Sequence, residues 1–109
     1  KEVQRVSPTE VVIVEGILAL HYPELREVYS YSVFVDTADE LRFRRRLARD
    51  VCERGRTEES VHEQWDATVQ PMHLHYCAPT RTLASEIMTG EEWSDEEIGT
   101  LWGRILAAV

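Results

Sequence analysis

Cysteine, long apolar runs and positive charge are all scarce in these 109 residues. The two cysteines, Cys52 and Cys77, lie far apart with no CxxC or Cys/His cluster around either, which excludes a disulfide framework and a zinc site. No apolar stretch approaches the roughly 20 residues that span a bilayer, and no signal-peptide pattern is present. The expectation is a soluble, cytoplasmic protein with reduced thiols and no membrane partner. Lys and Arg together number 12 against 20 Asp and Glu, for a net charge of -8. A surface of that sign argues against nucleic acid or an anionic membrane, because phosphate backbones favour basic surfaces. An anionic ligand would have to be small and met locally. The length allows one domain at most, and the opening at Lys1, with little preamble before a strand, reads as a chain cut from something longer.

Against this acidic background, seven of the twelve basic residues fall between Arg42 and Arg56, in LRFRRRLARDVCERGR. At about 100° per residue, Arg42, Arg46, Arg49 and Glu53 share one narrow sector of a helix, and Leu41, Leu47, Ala48 and Val51 lie roughly opposite. The expectation is one face on a core and a row of guanidinium groups on the other. Gly55 breaks the pattern, so Arg54 and Arg56 belong to the turn that leaves the helix. Guanidinium offers a planar fork of donors suited to phosphate oxygens, and the segment contains no lysine. The bland alternative is a solvated face salt-bridged to Glu40, Asp50 and Glu53.

Elsewhere, Ser7-Pro8-Thr9-Glu10 is turn-like, and the β-branched run Val11-Val12-Ile13-Val14 predicts a strand buried on both faces, as in parallel sheets. It ends at Glu15-Gly16. Pro23 opens a short helical turn reaching to Val28, and Ser32 to Val35 form a second strand ending at Asp36, with Asp36 or Thr37 as cap of the arginine helix. A further helix starts near Thr57, is interrupted at Pro71 and resumes over Met72 to Cys77. Glu86 to Met88 is a weak third strand, and Asp95 to Val109 a terminal amphipathic helix burying Ile98, Leu101, Trp102, Ile105 and Leu106. This order suits an α/β fold with a parallel sheet. In such sheets ligands gather at the carboxyl ends of strands, which makes Glu15 a candidate for a metal or its water shell and equally a simple helix-capping acid. His73 and His75 are spaced wrongly for a metal pair on a helix, and His21 and His62 are isolated.

The run VVIVEGILAL, then FVDTADELRFRRRLARDVCERGR, then Gln64-Trp65 and Val69-Gln70-Pro71-Met72, resembles the carboxyl-terminal half of the uridine kinases, in the family shared with phosphoribulokinase. The similarity extends from about Val11 to Ala84. It implies a partial P-loop NTPase fold of the nucleoside monophosphate kinase type: a parallel sheet with an arginine-bearing helical lid at about 39-70, with residues 1-109 forming the carboxyl-terminal part of a single kinase domain. In that fold the strand bearing the phosphate loop lies between those corresponding to Val11-Val14 and Val33-Val35. The resemblance further implies ATP and Mg2+, with Glu15 toward the metal and Arg49 and Arg54 on the phosphates. Arg46 and Arg56 would reach the nucleoside and the transferring phosphoryl group, Gln64 would touch the nucleoside, and Arg46 and Arg49 would carry the catalytic charge.

Departures accompany the matches. Trp65 stands where a tyrosine is usual, and Ser85 and Thr89 replace the usual Asp and Pro, so contacts on the adenine side do not carry over. No GxxxxGK[ST] loop occurs in the sequence. The expectation is therefore part of an ATP-dependent uridine/cytidine kinase that is inactive without its P-loop half. A phosphoribulokinase-like or other small-metabolite kinase, and a non-catalytic remnant binding phosphorylated metabolites or a protein, stay open as alternatives, as does a homo-oligomer.

Overall fold

The structure, a computed structural model, describes residues 11–108; the turn expected at Ser7 to Glu10 and the end of the terminal helix at Val109 lie outside them. Two strands, β1 (Val33–Asp36) and β2 (Glu86–Thr89), pair in parallel with Val33 opposite Glu86 and Asp36 opposite Thr89. A parallel pair needs a long crossover, and almost every helix of the chain lies in it. The strands close tightly at their carboxyl ends, where the Gly90 N–H donates to the Asp36 carbonyl at 3.0 Å. A Cβ on Gly90 would fall 1.7 Å from Thr37 Oγ1, so only glycine fits that approach.

The predicted Val11–Val14 strand does not form. Val12, Ile13 and Val14 are exposed and belong to no strand. A β-branched run suited to burial on both faces is a strand only when neighbours supply both edges, and among the described residues β1 and β2 pair with each other alone. The described apolar core is correspondingly small, with Leu20, Phe34 and Val61 buried.

Local signals fared better. Pro23 sits in the first turn of α1 (Pro23–Arg26). Helix α2 (Asp39–Arg54) ends at Gly55, whose φ of 64° and ψ of 21° place it in the left-handed region, where a side chain is strained. Thr57 caps α3 (Glu58–Gln64) by accepting from the Ser60 N–H at 3.1 Å. The cap expected for α2 is absent. Ala38 occupies that position without a side-chain bond, and Asp36 instead accepts from Arg81 Nε at 3.0 Å.

From α3 the helical path continues without a break through a π-helical turn (Trp65–Val69), α4 (Gln70–Met72) and a second π-helical turn (His73–Cys77) to a 3-10 turn (Ala78–Leu83). Pro71 therefore does not interrupt it. Proline has no N–H to give and its ring crowds the carbonyl four residues back; the wide turn just upstream, with Gln70 N–H bonded to the Trp65 carbonyl, relieves that crowding. The terminal helix α5 (Asp95–Ala108) forms as expected, but its apolar side is not buried: Ile98, Trp102 and Leu106 are exposed. It is tied down by Arg104, which is ion-paired with Glu86. Just ahead of it, Trp93 Nε1 donates to the Thr89 carbonyl.

Candidate functional site

Helix α2 lies on the segment that runs from α3 to Cys77, and the residues it half-buries are arginine as well as aliphatic. Of the four apolar residues expected inside, Leu41 and Leu47 are half-buried and Ala48 and Val51 exposed, while Arg42 and Arg46 are half-buried against that segment. Aromatic contacts hold the arginine side there. Phe43 packs edge-on to Trp65 at 5.2 Å and against His62 at 4.6 Å, and the Arg42 guanidinium lies 5.1 Å from the Trp65 ring centre, within cation–π reach. Arginine stems are long enough to cover such a surface while their heads stay polar.

Arg42 serves as a clamp. Its Nη2 donates to Asp39 Oδ1 at 2.6 Å and to Gln70 Oε1 at 2.7 Å, and Gln70 Nε2 donates to Asp39 Oδ2 at 2.9 Å. The hydrogen bond from Arg42 holds the Asp39 carboxyl below its usual range. Burial, and next the Arg42 charge, push nearby His73 down from the ordinary histidine value.

All five of the arginines and amides singled out from the sequence meet in two small groups. Gln64 Oε1 accepts from Arg56 Nη1 at 2.8 Å and from Arg46 Nη2 at 3.3 Å. One turn away, Arg49 Nε donates to Asp50 Oδ1 at 3.1 Å, and Arg46 Nε and Arg54 Nη1 each lie 3.5 Å from the same carboxylate. Asp50 is the only buried residue described on α2, with 1% of its surface exposed. Burial pushes its carboxyl up, but the hydrogen bond from Arg49 and the charges of Arg49, Arg46 and Arg54 outweigh this and hold it below the usual carboxylate range. The salt-bridged reading of the arginine face is thus correct for Asp50, and for Glu40, which pairs with Arg44 at 3.5 Å.

Between α2, the helical segment beyond it and the turn at residues 16–21 lies a cavity of about 700 Å³. Arg42, Arg45, Arg46, Arg49 and Gln64 form its polar wall, and Ile17, Leu18, Trp65, Met72 and Tyr76 are among its apolar lining. Arg54 and Arg56 stand outside that lining, behind the wall they help to brace. Arg45 reaches the cavity without a hydrogen-bond or ion-pair partner among the described residues, and sequence reasoning passed over it as one of a run. Its signal was available, since Arg45 has no acid three or four positions away.

Glu15 is exposed in the irregular stretch just ahead of Ile17 and Leu18. No group of three or more His, Cys, Asp and Glu side chains that could hold a metal occurs among the described residues. His21 packs edge-on against Tyr22 and Tyr76, and His75 against Tyr76, so these histidines are packing groups. No described helix is long and apolar enough to cross a membrane.

The family model described as phosphoribulokinase / uridine kinase family matches residues 2–90. A protein named uridine kinase from Chloroflexus aurantiacus (strain ATCC 29366 / DSM 635 / J-10-fl) is 45% identical over 108 residues, covering 99% of this chain and 52% of the relative. Another, from Chloroflexus aggregans, is 46% identical over 106 residues, or 97% and 51%, and one from Listeria monocytogenes serotype 4a is 49% identical over 88 residues, or 81% and 42%. The chain spans about half the length of the curated relatives it matches. On the extent of the family match and the level of identity to these relatives, the chain belongs to the phosphoribulokinase / uridine kinase family.

Proposed function

We propose that this chain is the carboxyl-terminal, lid-bearing part of a P-loop kinase domain that transfers the γ-phosphoryl group of ATP to the 5′-hydroxyl of uridine or cytidine. The observation that carries the reading is the cavity in which Arg45, Arg46, Arg49 and Gln64 face an apolar wall containing Ile17, Trp65 and Tyr76. Phosphoryl transfer is catalysed mainly by positioning and by neutralising charge on the phosphates. Arg46 and Arg49 supply that charge, Arg54 adds to it from behind, and Arg56 braces Gln64 for the nucleoside. The names of the relatives favour a nucleoside over ribulose phosphate as acceptor.

Magnesium chemistry fits a single carboxylate here, because Mg2+ is commonly held by one or two carboxylates together with substrate phosphates and water. Glu15 is the residue of this chain suited to that task, two positions before the cavity wall begins at Ile17. When bound, the ion would neutralise phosphate charge.

The 109 residues contain no GxxxxGK[ST] loop to cradle a triphosphate, so on this reading they are inactive by themselves and act only within the full gene product. The test is phosphoryl transfer from ATP by that product to uridine, cytidine and ribulose 5-phosphate, measured side by side. Turnover with either pyrimidine nucleoside supports the reading. Preference for the sugar phosphate, or binding without transfer, overturns it.

A further inference from the structure

We infer that Asp50 is the positioning residue of the arginine wall, a buried carboxylate that holds Arg49 by its inner nitrogen, with Arg46 packed against it, and so presents the outer fork of Arg49 to an anion in the cavity. The inference rests on the reading of those arginines as phosphate ligands. A carboxylate 1% exposed is costly unless paired, and α2 buries no other described residue. Both cavity-lining partners approach it through Nε, Arg49 at 3.1 Å and Arg46 at 3.5 Å. Held at Nε, Arg49 keeps both terminal amino groups for a ligand, a pair of donors suited to a phosphate, whereas Arg46 commits Nη2 to Gln64 and keeps Nη1. Arg54 approaches from behind through Nη1.

The backbone of the same residue contributes as well. The Asp50 carbonyl accepts the N–H groups of Gly55 and Arg56, the latter at 3.0 Å, so it also sets the turn on which Arg56 leaves for Gln64. One contact is incomplete. Asp50 Oδ2 and Arg46 Nε are both buried without a hydrogen bond, although they face one another at 3.5 Å. A shift of a few tenths of an ångström would close that bond. Asp50 therefore has acceptor capacity in reserve for Arg46 as it moves onto a ligand.

Charge alone and positioning make opposite forecasts. Removing the carboxylate raises the local positive charge, which on charge alone tightens anion binding. If Asp50 positions the fork, the same change slows transfer, because misplacement by about 1 Å costs up to about a hundredfold in rate. Asp50→Asn and Arg49→Ala are compared in the full gene product, reading ATP KM, kcat with uridine, and affinity for inorganic tripolyphosphate. The expected pattern for Asp50→Asn is a kcat lowered about tenfold or more, with tripolyphosphate affinity unchanged or increased. A kcat within twofold of the parent overturns the inference while Arg49→Ala still weakens ATP. If Arg49→Ala changes neither ATP KM nor tripolyphosphate affinity, the arginine reading itself falls and the inference with it. Should Asp50→Asn not fold, the Arg49 Nε–H resonance of the parent decides. A distinct, slowly exchanging signal that persists under saturating tripolyphosphate is expected, and exchange as fast as in free arginine overturns the inference.

Discussion

Gly55 is the point at which the geometry of the arginine turn can be tested with least disturbance. Its φ of 64° lies where an L side chain is strained, and a Cβ built there meets nothing within 4 Å. Gly55→Ala therefore adds no clash, and its whole cost is the left-handed backbone, about 1–2 kcal/mol. Two N–H groups, those of Gly55 and Arg56, converge on the Asp50 carbonyl and resist relaxation to a negative φ, so the turn is expected to stay and absorb the strain. For a domain of about this size the loss corresponds to a fall in melting temperature of roughly 4–8 °C per kcal/mol. Gly55→Asn, which tolerates the left-handed region better, should recover a large part of it. The assay is thermal unfolding by circular dichroism of the three proteins, accompanied by tripolyphosphate titration. Retained affinity in Gly55→Ala marks a turn that held, and lost affinity one that gave way and carried Arg54 and Arg56 with it. An alanine variant melting within a degree of the parent would refute the assigned backbone and the account of the turn.

Other outcomes follow from the same contacts. His73 has its folded value pushed below the usual 6.5 by burial and Arg42, against the opposing charges of Asp39 and Asp36, so the unfolded chain takes up that proton first and stability falls as pH drops below about 6.5. Asp39, Asp50 and Glu86 are held below their usual 3.8 to 4.5, so their contribution is complete above that range and lost at lower pH as they protonate in the fold. Urea unfolding against pH should thus show two steps, and His73→Gln should remove only the upper one; a parent with a single step near pH 4 contradicts the placement of His73. Gln64→Leu deletes the shared acceptor of Arg46 and Arg56, and because the site is partly exposed the expected loss is about 1 kcal/mol, together with a raised KM for the nucleoside. An unchanged KM would remove Gln64 from the site. Glu15→Gln in the full gene product should raise the magnesium concentration needed for half-maximal rate, an amide being a weaker ligand for a hard cation; an unaltered magnesium titration would leave Glu15 without that role.

What could be read in the sequence depended on how far the deciding interaction lay along the chain. Pro23, Gly55 and Thr57 act on their own turns, and each marks its boundary where expected. The strands at Val33 and Glu86 were legible because each has its partner in the other. The run at Val11 carries the stronger strand composition, yet its structure depends on chain that would have to lie on both sides of it. The arginine helix was placed correctly, but its faces divide less cleanly than expected, with Leu41 and Leu47 half-buried, Ala48 and Val51 exposed, and Arg42 and Arg46 half-buried as well. An amphipathic pattern assigns the apolar face inward, whereas here Trp65 also holds Arg42 on the inner side by cation–π contact and Gln64 holds Arg46 there by a hydrogen bond. Asp50 was visible only as one of three available acids, although Arg46 and Arg54 flank it at i−4 and i+4, a double pairing that Glu40 and Glu53 lack.

The wide turns on either side of Pro71 have a geometric consequence for the cavity. Gln64, Thr68, Met72 and Tyr76 line it in one row, and Trp65, Val69, His73 and Cys77 in the next, both in steps of four. A regular helix with 3.6 residues per turn overshoots such a row by about 40° at each step, or about 120° between Gln64 and Tyr76. Tyr76 would then have rotated off the surface that Gln64 begins. The π-helical turns at Trp65–Val69 and His73–Cys77 take more residues per revolution and offset that overshoot. Deleting a single residue from the regular turns of α3, such as Glu63, would swing everything beyond it by about 100° around the axis and leave every lining side chain chemically intact. Rotational phase, more than composition, is what this segment has to preserve.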